Sequence, residues 1–134
     1  MNSSRAERKP RVLVVDDEPG MRDLLRELLW EEGYEVLEAS DGDGVLGMID
    51  RQDIDLAIID IFMPVVDGIE LLTRFRKRGV ATKTIAISGG GTNEGGQCLL
   101  DVARLLGAAA TLEKPFDLGL LMSHVRRYST SPLR

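Results

Sequence analysis

Two hydrophobic periods alternate along this chain, and that alternation limits what it can fold into. Short, β-rich apolar runs stand at Arg11–Val15 (RVLVV), Tyr34–Ala39 (YEVLEA), Leu56–Ile59 (LAII), Thr84–Ile87 and Ala109–Leu112. Each is followed by a segment whose apolar residues recur at spacings of three and four, the helical period. Pro19–Glu32 carries Met21, Leu24, Leu25, Leu28 and Leu29 and closes at Gly33; Asp43–Arg51 carries Val45, Leu46 and Ile49. Gly68–Arg78 carries Ile69, Leu72 and Phe75 and ends at Gly79. Leu99, Val102, Ala103 and Leu106 stripe a fourth segment, and Leu118, Leu121, Met122 and Val125 a fifth. Gly44 and Gly47 make the second helix weak, each costing about 1 kcal/mol against Ala. Five strands alternating with five helices predict an α/β fold, a doubly wound parallel sheet covered by helices on both faces.

The rest of the composition narrows the class. A chain of 134 residues makes one ordinary domain, and 43% apolar with 29% charged residues is the balance of a soluble globular protein. No apolar run approaches the ~18 residues that would span a membrane. The first ten residues are polar and basic, so they do not read as a signal peptide. Cys98 is the single cysteine, which excludes an internal disulfide and a cysteine-rich zinc site. The formal charge of −5 argues against direct nucleic-acid binding, which needs a basic surface. The expected organisation is a flexible N-terminus over 1–9, one domain over 10–128 and a polar tail over 129–134, in the cytoplasm and off the membrane.

Chemistry concentrates where the strands end. The first strand runs into Asp16 and Asp17, the third into Asp60 and the fourth into Ser88, and Lys114 follows the fifth. In a doubly wound sheet, ligands bind outside the carboxyl ends of the strands, where the strand order reverses. Two carboxylates ~4 Å apart repel by about 4 kcal/mol at an effective dielectric near 20, so a proton or a cation must neutralise them. With oxygen ligands and no His or Cys at hand, the fitting cation is Mg²⁺, or Mn²⁺ in its place. Lys114 and the Ser88 hydroxyl offer a charge and a hydrogen bond to a phosphoryl group, and a carboxylate can itself be phosphorylated. The set suits phosphoryl transfer onto an aspartate.

With those residues in place the chain resembles the receiver domains of two-component response regulators. VVDDEP (14–19), IIDIFMPVVDG (58–68), AISG (86–89) and EKPF (113–116) match that family's motifs in order, and the likeness covers about residues 10–128. The resemblance implies a flavodoxin-like sheet of order 2-1-3-4-5 with Asp60 as phosphoacceptor. It makes Asp17 a direct Mg²⁺ ligand, has Asp16 act largely through water, and adds Asp60 and the backbone carbonyl of Phe62 to the metal shell. Ser88 would turn towards the phosphoryl group and Lys114 would bind it, with Pro115 giving a cis peptide or supporting that loop. The implied donor is a phosphohistidine on a sensor histidine kinase or a histidine phosphotransfer protein, which small donors such as acetyl phosphate can replace. The implied output is altered binding of a downstream protein through the face of helix 4, strand 5 and helix 5. A stand-alone switch and a phosphorelay intermediate both need this site. A phosphorylation-independent scaffold keeps only the fold, and a turnover phosphatase would want a second acid where Phe62 stands.

Three positions depart from the family pattern. Thr111 stands where members usually carry Tyr or Phe three residues before the lysine. Phe62 and Gly90, each two residues beyond a site residue, offer no side-chain hydrogen bond to an attacking water, so self-dephosphorylation is expected to be slow. The glycines from Gly89 to Gly96 leave the loop after the fourth strand with much backbone entropy to lose, and phosphorylation is expected to order it. Other residues have ordinary readings. Asp17 alone would read as a helix cap, and Asp67 does so at the third helix. Arg74, Arg76, Lys77 and Arg78 read as a solvated helix end, His124 as a surface residue, Cys98 as a small packed side chain and Trp30 as a half-exposed aromatic.

Overall fold

The computed structural model describes residues 8–63, 66–89 and 96–129. In chain order the elements are β1 (Arg11–Val15), α1 (Pro19–Glu31), β2 (Glu35–Ala39), α2 (Val45–Arg51), β3 (Leu56–Asp60) and α3 (Gly68–Arg78). Next come β4 (Lys83–Ser88), α4 (Gly96–Leu105), β5 (Ala110–Glu113) and α5 (Leu118–Tyr128). The strands form one parallel sheet in the order β2-β1-β3-β4-β5, the flavodoxin-like order.

Side chains alternate across a strand, and here that sorts them into two cores. Leu13, Val15, Ala57, Ile59 and Ala86 face one side, with Val45 of α2, Leu71, Leu72 and Phe75 of α3 and Ala103 of α4. Val12, Val14, Leu56, Ile58, Ile85 and Ile87 face the other, with Leu25 and Leu29 of α1 and Leu121, Met122 and Val125 of α5. Right-handed crossovers account for this distribution: the chain moves outward from β1 to β2, then back past β1 to β3, which puts α1 and α2 on opposite faces. That reversal opens a crevice between the carboxyl ends of β1 and β3.

Element boundaries shift by a residue or two from the sequence reading. α2 starts at Val45 because Gly44 caps it in the left-handed region at φ 85°, which ends the regular helix there. Two expected core residues are exposed: Leu24 at 46% and Leu118 at 37%. A helix buries only a stripe, and Leu25 and Leu29 or Leu121 and Val125 already fill it. In α3 Leu71 and Leu72 are fully buried, while Ile69 is only partly buried. Asp67 caps α3, its side chain accepting the Glu70 N–H at 2.8 Å. Arg74 pairs with Glu70 and Arg78 with Asp50 on the solvated helix end. Trp30 is 64% exposed with the Lys9 ammonium 5.0 Å from its ring centroid, and the His124 ring stacks on Tyr128. No helix among the described residues is long and apolar enough to cross a membrane. The glycine loop at 90–95, the Cys98 side chain and the ends of the chain at 1–7 and 130–134 lie outside the described residues.

Candidate functional site

Each acidic side chain of the cleft is fixed by the backbone that leaves its strand. Asp16 is buried, while Asp17, the next residue, is exposed. Asp16 donates its N–H to the Ala39 carbonyl at 3.1 Å, and its Oδ1 accepts the Glu18 N–H at 2.9 Å. Arg22, one turn into α1, donates to the Asp16 carbonyl at 2.7 Å. These bonds turn the chain from β1 into α1, whose first residue is Pro19, a position where the missing N–H has no cost.

Asp60 ends β3 and is buried, its Oδ1 accepting the Phe62 N–H at 3.1 Å. α3 begins directly against it. A Cβ on Gly68 would sit 2.6 Å from the Asp60 carbonyl oxygen and 2.7 Å from the Ile61 Cα, so only glycine allows this approach. The Gly68 N–H donates to the Ile61 carbonyl at 2.9 Å and fixes the turn. Phe62 is 47% exposed.

The sheet brings three carboxylates and one ammonium together. One carboxylate oxygen from each of Asp16, Asp17 and Asp60 lies within 4.8 Å of the other two. Lys114 Nζ stands 3.3 Å from Asp16 Oδ2, 3.6 Å from Asp60 Oδ2 and 3.4 Å from Glu18 Oε1. The Lys114 N–H donates to the Ser88 carbonyl at 2.8 Å, and the Lys114–Pro115 peptide is cis. A Cβ on Gly89 would press on the Lys114 side chain at 3.3 Å, so the lysine crosses the end of β4 closely. Ser88 is fully buried at that strand end, and among the described residues its Oγ has no hydrogen-bond partner.

The charges do not balance. Burial, aided by the negative charges of Asp16 and Asp17, pushes the Asp60 carboxyl up to about 6, against the opposing pull of Lys114 and the Phe62 N–H. Burial also opposes charge on Lys114, but Asp60, Asp16 and Glu18 outweigh it and raise its pKa above the ordinary value. One ammonium among this many acids leaves net negative charge in a cleft where Asp16 and Asp60 are buried. A proton or a cation would relieve that excess, and oxygen-only donors suit a hard cation such as Mg²⁺. The unpartnered Ser88 hydroxyl is a donor held in reserve near the same strand ends.

Thr111 is placed apart from these groups. It pairs in register with Ala86, two residues before Ser88, and its Oγ1 accepts a hydrogen bond from Arg104 of α4 at 2.7 Å. One participant escaped the sequence reading. Glu18 reaches Lys114, and the signal for it was a third acid directly after the Asp16–Asp17 pair.

Comparison with known proteins gives one consistent family. The family model for the response regulator receiver domain matches residues 12–126. Sporulation initiation phosphotransferase F of Bacillus subtilis is 30% identical over 118 residues, which cover 88% of this chain and 92% of that protein. The transcriptional regulatory protein TcrA of Mycobacterium tuberculosis is 35% identical over 119 residues, 89% of this chain but 46% of that protein. The chain therefore spans about half the length of that regulator. Among solved structures, the receiver domain of the Francisella response regulator 1452 superposes with a TM-score of 0.81 at 29% identity, covering 90% of this chain and 97% of that one.

Proposed function

Because the chain belongs to the receiver domains of two-component response regulators, we propose that residues 10–128 accept a phosphoryl group on Asp60 and signal by changing which protein they bind. The observation that carries the proposal is the cluster of Asp16, Asp17 and Asp60 oxygens within 4.8 Å, sharing the Lys114 ammonium. The donor is a phosphohistidine on a sensor histidine kinase or a histidine phosphotransfer protein. An Asp60 carboxylate oxygen forms a bond to phosphorus as the P–N bond to the imidazole breaks, and the leaving nitrogen keeps the electron pair.

Asp16, Asp17, Asp60 and the carbonyl of Phe62 would hold Mg²⁺, which supplies positive charge against the phosphoryl oxygens as they approach the acidic cleft. Lys114 binds a phosphoryl oxygen and exchanges part of its contact with Asp60 and Asp16 for it. Ser88 turns its unpartnered hydroxyl to another. The Phe62 side chain offers no hydrogen bond to an attacking water, so self-dephosphorylation is slow in this reading. On the same reading the domain accepts a donor's phosphoryl group on its own Asp60 and is not a turnover enzyme, working in the cytoplasm without contact to nucleic acid or membrane.

The output face is α4, β5 and α5. Thr111 occupies the place of the family's aromatic switch, and its bond to Arg104 links β5 to α4 instead. A relay role has one specific support: the chain matches most of the length of a relative named a phosphotransferase. In that role the phosphoryl group passes on from Asp60 to a second histidine.

Acetyl phosphate with Mg²⁺, followed by intact mass, tests the proposal. One adduct of about 80 Da on the unaltered chain and none on Asp60→Asn is the expected result. An adduct that survives in Asp60→Asn would assign the acceptor elsewhere.

A further inference from the structure

Glu18 is the N-cap of α1, yet its side chain caps nothing. Its backbone is extended at φ −93° and ψ 116°, and no side-chain capping bond is made. Ser, Thr, Asp or Asn at such a position folds back onto the first free N–H groups of the helix. The longer glutamate reaches across the cleft instead, to 3.4 Å from Lys114 Nζ. Asp16 and Asp60 hold the same ammonium from inside, with side chains only 3% and 6% exposed, whereas that of Glu18 is 64% exposed. Glu18 is thus an acid on the solvent rim, beside the lysine that a phosphoryl group must reach.

We propose that Glu18 selects among phosphoryl donors by charge: its carboxylate disfavours small donors in proportion to their negative charge and holds Lys114 until a phosphoryl group displaces it. The inference rests on Asp60 being the acceptor. A carboxylate at the rim repels an incoming anion through solvent, an effect that is modest, graded with donor charge and screened by salt. Glu18 is a positioning and selecting residue, since the bond-making atoms belong to Asp60 and the donor. Its backbone role is separate, because the Glu18 N–H holds Asp16 Oδ1 whatever side chain stands there.

Two donors of unequal charge separate these roles. Acetyl phosphate carries two negative charges at neutral pH; its P–O bond breaks as the Asp60 oxygen bonds to phosphorus, and acetate leaves with the electron pair. Phosphoramidate, protonated on nitrogen, carries one net negative charge; its P–N bond breaks and ammonia leaves with the electron pair and the protons it already holds. Initial rates are read by intact mass with Mg²⁺ present. Glu18→Gln is expected to speed uptake from acetyl phosphate about threefold to tenfold and from phosphoramidate by about the square root of that, roughly twofold to threefold, with the gap narrowing in high salt. Glu18→Lys is expected to widen the same ratio. An unchanged ratio, or equal acceleration with both donors, overturns the inference while leaving the acceptor in place. No adduct on the unaltered chain with either donor overturns the acceptor reading, and this inference with it.

Discussion

At the amino-terminal edge of the sheet, Asp50, Asp53 and Asp55 sit among arginines. Arg8 stands 3.0 Å from Asp53 and 3.4 Å from Asp55, the Arg11 N–H donates to Asp55 at 2.9 Å, and Arg78 grips Asp50 at 2.8 Å. At the carboxyl-terminal edge, Asp16, Asp17 and Asp60 gather around Lys114 alone among the described cations. Both edges bury acid, with Asp55, Asp16 and Asp60 all under 10% exposed. One edge answers its charge with guanidinium groups, whose planar forks match carboxylates; the other answers with a single point charge and leaves an excess. The first arrangement ties Arg8 and Arg11, at the start of β1, to the loop that precedes β3. The second leaves an excess of negative charge that a further proton or cation would relieve.

Removing an acid should therefore have opposite consequences at the two edges. Asp55→Ala leaves the Arg11 N–H and part of the Arg8 guanidinium without their buried acceptor, and should cost about 2–4 kcal/mol in urea unfolding. Asp60→Asn should do the reverse. Its folded-state pKa of about 6 lies above the ordinary 3.8, so the native state holds that proton more tightly than the unfolded chain does. The favourable contribution is complete below about pH 3.8 and lost as pH rises through about 6. Without divalent metal at pH 8, Asp60→Asn should be more stable than the unaltered chain by about 1–3 kcal/mol, an advantage that vanishes near pH 4. Equal stability of the two at pH 8 would mean that the acidic cleft is not strained by its own charge.

The sequence made one edge far more legible than the other. Asp16, Asp17, Asp60 and Lys114 each follow an apolar run, so the strand period alone places them at one end of a parallel sheet. The sheet order came instead from the resemblance to receiver domains, because alternating β and α segments with right-handed crossovers are compatible with more than one order. Asp50 lies in the last turn of a weak helix, and Asp53 and Asp55 stand between it and a strand, where acids are ordinary. Their partners, Arg8 and Arg78, come from distant parts of the chain, and no local period brings them together. Leu24 and Leu118 were misread because helical spacing identifies a stripe, not its centre. Glu18 was missed because an N-cap glutamate looks like helix chemistry until the side chain is seen to point elsewhere. The Arg104–Thr111 bond was equally hidden, since it depends on how α4 lies on β5.

Magnesium should sharpen the contrast by a smaller amount. At a concentration tenfold above its dissociation constant, Mg²⁺ should stabilise the unaltered chain by about 1.4 kcal/mol, read as a rise in the midpoint of unfolding. Asp60→Asn should lose most of that gain, because a carboxylate is missing from the cluster. A variant lacking Asp50 at the other edge should keep it in full. A gain that survives in Asp60→Asn would place the cation elsewhere.

The smallest effect belongs to Asp50 and Arg78, and it tests whether partner geometry or burial separates the edges. Arg78 Nη2 contacts both carboxylate oxygens of Asp50, at 2.8 and 2.9 Å, so the contact is as close as any ion pair at the acidic cleft. Its side chains are nevertheless 46% and 53% exposed, against 16% for Lys114 and 6% for Asp60. Water screens the exposed pair, and two long side chains lose entropy to hold it. A double-mutant cycle of Asp50→Asn and Arg78→Ala should therefore give a coupling of about 0.5 kcal/mol or less, falling further in salt. A coupling well above 1 kcal/mol would mean that a well-placed guanidinium stabilises even in water. The amino-terminal edge would then owe its quiet behaviour to the quality of its partners, and the acidic cleft its reactivity to having only a lysine.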